Sequence, residues 1–158
     1  MKKARKGFTL VELLIVITII AMLGTLMLVS GTDAQNAAKA TKITDGFRNL
    51  TAAIIMYNDE EPNKVAEMDV DTIIAGAKKY IKNDEVFGSD ATTAGTYYLV
   101  VQGSTLWLTY YLPGATGAIN TLLKNKAKDY GLKKAANADP KAADNEYDGG
   151  QTIYINVL

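Results

Sequence analysis

The chain has 158 residues, 48% hydrophobic and 22% charged, enough for one domain with a modest core and too few for two. Lysine plus arginine and aspartate plus glutamate number 17 each, so the chain as a whole offers no basic field of the kind that binds nucleic acid. Cysteine and histidine are absent, which excludes disulfides, thiol nucleophiles, Cys/His zinc sites and imidazole acid–base chemistry.

The first element is a basic leader, KKARK, followed by residues 8–29, a run of about 22 residues long enough as a helix to cross the hydrocarbon core. Glu12 is its one ionisable side chain. No basic residue follows until Lys39, so the positive-inside bias keeps the amino terminus cytoplasmic and places everything after residue 30 outside. A secretory signal peptide would have a shorter apolar core and a small-x-small cleavage site, where this chain has Ser30-Gly31 after a full-length span. A plain signal anchor accounts for the length and the flanking charge. It leaves Glu12 unexplained, because a carboxylate within a spanning helix is costly and marks a functional position, unless it lies close to the cytoplasmic interface.

Lys6-Gly7-Phe8-Thr9-Leu10-Val11-Glu12, and the longer stretch GFTLVELLIVITII, resemble the processing site of type IV pilins and secretion pseudopilins. The shared features are a short basic leader, a glycine before the cut, a phenylalanine after it and a glutamate four residues further on. The resemblance implies cleavage between Gly7 and Phe8 by a membrane-embedded prepilin peptidase, followed by methylation of the new amine. It also implies that Glu12 of an incoming subunit neutralises the Phe8 amine of its neighbour. Cleavage would remove four of the 17 cationic side chains (Lys2, Lys3, Arg5 and Lys6) and leave the acidic residues in excess. Such a pair fixes axial register, while packing of Leu10, Val11, Leu13, Leu14, Ile15, Val16, Ile17, Ile19 and Ile20 supplies most of the favourable energy in a filament core. Many members of that family carry proline at the position of Val29. Here Gly24, then Ser30-Gly31, stand as an alternative hinge, with Thr32-Asp33-Ala34-Gln35 reading as a capping box at which the helix restarts.

Beyond the span, Ala40, Ile43, Phe47, Leu50, Ile54 and Tyr57 recur at helical spacing and form one stripe for packing against a head. Lys39, Lys42, Asp45, Arg48 and Asn49 lie off it and suit solvent or a neighbouring subunit. A helix from about residue 8 to 57 is expected, then a second over 71–82, capped by Asp69 or Asp71 and ending in Lys78, Lys79 and Lys82, where the dipole favours cations. Residues 96–102 and 105–112 are rich in β-branched and aromatic residues around Gly103-Ser104 and predict a hairpin. Pro113-Gly114-Ala115-Thr116 precedes another helix bearing Ile119, Leu122, Leu123 and Tyr130 and stopped by Gly131. A polar stretch, 133–150, leads to a last strand at 152–158.

The expected fold class is α+β, pilin-like: a long amino-terminal helix packed against a small antiparallel sheet. The expected organisation is a leader at 1–7, a membrane-spanning and filament-core segment at 8–30, and a head at 31–158 that includes the amphipathic half of the helix at 31–57. Asp139, Asp144, Glu146 and Asp148 cluster before the last strand. Their spacing fits no calcium loop, so a solvated acidic loop is the better reading and no metal or cofactor is expected. The nine tyrosines suit cross-strand packing better than electron conduction. No phosphate-binding loop, serine elbow or paired carboxylate is present, so the chain reads as an enzyme's substrate and not an enzyme.

The leading function is a type IV pilus subunit that polymerises with copies of itself and meets lipid, the peptidase and inner-membrane assembly machinery on the way to the cell surface. A type II secretion pseudopilin and an uncleaved, singly anchored binding module remain as alternatives. Motility, adhesion and DNA uptake stay open as roles of the filament.

Overall fold

The computed structural model describes residues 7–82, 86–115, 117–134 and 146–158, without the side chains at 28–30. The chain forms α1 (Leu10–Glu60), α2 (Pro62–Ala66), α3 (Val70–Ala77) with a tightened turn at Lys78–Tyr80, β1 (Tyr97–Gln102), β2 (Thr105–Tyr111), α4 (Gly117–Tyr130) and β3 (Thr152–Asn156). It divides into two compact units, Met1–Asn36 and Ala37–Leu158. The expected restart at Thr32 is corrected: α1 is helical from Leu10 to Glu60, through Gly24, Ser30 and Gly31. A capping box acts where a chain enters a helix and amide donors are orphaned. At Thr32 the preceding residues are already helical, so no orphan exists to be capped.

In the second unit, every member of the expected stripe is buried, with Phe47 and Ile54 fully enclosed, and Thr44 and Ala53 widen the stripe at its flanks. The stripe joins one core with the sheet, whose order is β1-β2-β3. Strands β1 and β2 pair antiparallel from Tyr97 opposite Tyr110 to Gln102 opposite Thr105, which leaves a two-residue turn at Gly103-Ser104. Gly103 has φ 63°, a value that glycine adopts without steric cost, at the first turn position where the hairpin requires it. Strand β3 pairs antiparallel with β2 from Trp107 opposite Asn156 to Tyr111 opposite Thr152, so β2 is central. Tyr97, Leu99, Leu106, Leu108 and Ile153 belong to the core shared with α1.

Helix α3 is shorter than the expected 71–82, because the backbone turns extended at Ile81. Asp69 caps it, accepting from the Thr72 amide at 3.3 Å and from the Thr72 hydroxyl. Helix α2 was not among the expected elements, although Pro62 at its start is a known opening signal. Of the acidic loop, Asp139 and Asp144 lie outside the described residues. Asp148 sits 3.9 Å from Lys134, and among the described residues no group of three acidic side chains could hold a metal ion.

Tyr97 ties α1 to the sheet. Its hydroxyl donates to the Ile43 carbonyl at 2.7 Å, and its ring meets Phe47 edge-on at 5.1 Å and Tyr110 at 4.7 Å. Burial pushes its phenol well above the ordinary tyrosine range, so the bond persists across the physiological pH range. Gly46 makes this approach possible, since a Cβ there would overlap the Tyr97 hydroxyl and ring. Gly46→Ala therefore overpacks the joint and should cost about 1–3 kcal/mol despite the better helix propensity of alanine. A thermal melt of the full chain in detergent checks this, and a melting temperature equal to or above wild type would show that the ring can move aside.

Candidate functional site

Helix α1 starts where the sequence places its ionisable outlier. Thr9 is the residue before the first helical turn, and its carbonyl accepts from the Leu13 amide at 3.3 Å. The Thr9 amide and the Thr9 hydroxyl both donate to Glu12 Oε2 at 2.8 Å, and the Glu12 amide donates to Thr9 Oγ1 at 3.2 Å. This reciprocal set is a capping box, built by Thr9-Leu10-Val11-Glu12. It satisfies two amide donors that would otherwise be orphaned at the helix start, and the partial positive charge of the helix amino terminus favours the carboxylate there. Glu12 has a local partner before any second subunit arrives.

The signal for this box was visible in the sequence as T-x-x-E immediately before a long apolar run. The same kind of pattern at Thr32-Gln35 does not start a helix, and the difference lies in what precedes each: non-helical Gly7 and Phe8 in one case, a running helix in the other.

Gly7 and Phe8 lie outside the helix, and Phe8 is 91% exposed. A Cβ on Gly7 would meet nothing within 4 Å, and the same holds for Gly24 and Gly31, so the chain's own packing does not require glycine at any of the three. In the uncleaved chain the Phe8 nitrogen is an amide and carries no charge, so the expected pair between Glu12 and a Phe8 amine has no counterpart here. The apolar residues expected in a filament core, Leu10, Val11, Leu13, Leu14, Val16 and Ile17, are 50–81% exposed. None of the described residues covers them. The helix contains a window long and apolar enough to cross a membrane, none of it buried against the rest of the chain. Thr18 and Thr25 do not interrupt that surface, because their hydroxyls donate back to the Ile15 and Ala21 carbonyls.

The arrangement joins an exposed, non-helical dipeptide, a capped helix start with one carboxylate and an apolar segment that none of the described residues covers. Such a segment suits insertion in lipid, recognition of the dipeptide by a processing enzyme and later packing against other helices. No curated protein and no solved structure matches the chain. Residues 2–28 match the family model described as the prokaryotic N-terminal methylation motif. This motif stands at the head of an α+β chain of one long helix and a three-stranded antiparallel sheet, and it supports a likeness to type IV pilins and pseudopilins.

Proposed function

We propose that the protein is a structural subunit of a type IV pilus, cleaved after Gly7 by prepilin peptidase, methylated on Phe8 and polymerised into a helical surface filament through its amino-terminal helix. The observation that carries this reading is the methylation motif over residues 2–28 joined to an apolar helix that none of the described residues covers. Before assembly that helix sits in the membrane with the leader on the cytoplasmic side. Once Gly7 is removed, the Phe8 amine becomes the only cation within the apolar segment, and Glu12 of a neighbouring copy is the matching anion.

The hinge belongs to the same proposal. Gly24 and Gly31 each weaken a helix interior by about 1 kcal/mol relative to alanine. Neither is required by packing among the described residues, and we assign them local loosening of the helix in the filament. A filament map with unbroken helix through residues 20–40 would remove it.

Mass spectrometry of the native protein tests the processing step: the expected mass is that of a chain beginning at methylated Phe8, and an intact Met1 terminus would sink the pilin reading. Electron microscopy of cells with and without this chain tests the filament. Surface fibres that vanish on deletion support the pilus, whereas a processed chain without fibres assigns it to a secretion pseudopilus.

A further inference from the structure

The two carboxylate oxygens of Glu12 stand in different surroundings. Oε2 accepts twice, from the Thr9 amide and from the Thr9 hydroxyl, each at 2.8 Å. Two donors occupy both lone-pair directions of one carboxylate oxygen. Oε1 has no hydrogen-bond or ion-pair partner among the described residues, and Glu12 is exposed. Thr9 is itself held, since its Oγ1 accepts from the Glu12 amide at 3.2 Å and its carbonyl accepts from the Leu13 amide at 3.3 Å. These bonds fix the Glu12 side chain against its own backbone.

Cleavage between Gly7 and Phe8 would remove none of the atoms involved, because all three side-chain bonds lie within residues 9–12. A processed chain can therefore keep its cap. An unrestrained glutamate samples three staggered wells at each sp³ torsion, and only the fraction in the competent well can pair with a partner on another molecule. Fixing those torsions beforehand lowers the ordering cost of an intermolecular bond.

We propose that Thr9 is a positioning residue for assembly: it occupies Oε2 of Glu12 and leaves Oε1 as the atom that accepts from the Phe8 amine of a neighbouring copy. The inference rests on the polymerising-subunit reading and adds to it which oxygen takes the bond and which residue prepares that oxygen. One carboxylate then closes its own helix and receives the neighbour's cation together, so assembly does not have to break the cap. The bond to the amine is charged on both sides, which makes it stronger than one between neutral groups.

A cycle of wild type, Thr9→Val, Glu12→Ala and the two changes together tests it, each read as sheared filament relative to membrane-retained, cleaved subunit. Valine keeps the size and branching of threonine and lacks the hydroxyl. Freeing one torsion of Glu12 leaves about a third of the side chains competent, so Thr9→Val should lower the ratio about threefold where Glu12 is present. In the Glu12→Ala background it should change nothing further, because no carboxylate is left to position. Thr9→Ser, which retains the hydroxyl, should match wild type. An equal loss from Thr9→Val in both backgrounds would reduce Thr9 to a helix cap and overturn the inference. So would a wild-type ratio from Thr9→Val, or a Thr9→Ser chain that assembles no better than Thr9→Val. Those three results leave the pilus reading intact. A wild-type chain that keeps Met1 or forms no filaments would overturn that reading, and the inference with it.

Discussion

Replacing Glu12 with alanine should leave the protein inserted and cleaved yet reduce filaments by about tenfold or more. The two halves of this outcome have different causes. Insertion depends on the apolar run, and removing a carboxylate from it can only ease partition into lipid. In the proposed filament, assembly would bring the Phe8 amine of one copy among the apolar helices of others, where a cation without a partner is expensive. Alanine also removes the capping box, so it does not by itself separate capping from charge. Glu12→Gln does, because glutamine at this position can still accept from the Thr9 amide and hydroxyl while carrying no charge. If charge neutralisation is the mechanism, Glu12→Gln chains should assemble as poorly as Glu12→Ala chains. Thr9→Val, which keeps the carboxylate and loses the capping hydroxyl, should assemble far better than either. The readout is the ratio of sheared filament to membrane-retained, cleaved subunit. Normal filaments from Glu12→Gln would mean that the carboxylate matters only as a cap.

The parts of this structure legible from sequence are those governed by a single local periodicity. The stripe from Ala40 to Tyr57 is buried residue for residue, and the Gly103-Ser104 turn fixes the register of β1 and β2. What was not legible depends on neighbours distant in sequence. Alternation along β2 would leave Trp107 and Thr109 half exposed, yet Leu106, Trp107, Leu108 and Thr109 are all buried. No pattern within residues 105–111 encodes the closure of both faces, to which distant residues contribute: the Thr109 hydroxyl donates to the Tyr98 carbonyl on β1 at 3.1 Å. Gly46 likewise looks like a poor helix residue until Tyr97, 51 positions later, is found against it. At the candidate site the order is reversed. The capping box is written plainly in Thr9 and Glu12, three residues apart, and needs no neighbour distant in sequence.

Replacing Gly7 should block the chain at the step before assembly. The position lies outside the helix, and a Cβ there meets nothing within 4 Å, so Gly7→Val should fold, insert and cap its helix as the wild type does. Any loss must then arise at the proposed cut between Gly7 and Phe8, where the peptidase would have to admit the backbone on both sides of the bond. The expected result is a membrane-bound chain with Met1 intact, no Phe8 amine and no filaments, read by mass spectrometry of the membrane fraction and microscopy of the surface. The uncleaved chain retains Lys2, Lys3, Arg5 and Lys6, four cations that would have to leave the aqueous side for the helix to enter a filament. It also lacks the amine that Glu12 is proposed to neutralise. In the proposed mechanism cleavage changes both ends of the energetic balance, removing charges that would hold the segment in the membrane and creating the one that would guide it into register. Filaments built from uncleaved Gly7→Val chains would show that neither change is needed, and the proposed mechanism would fail at its first step.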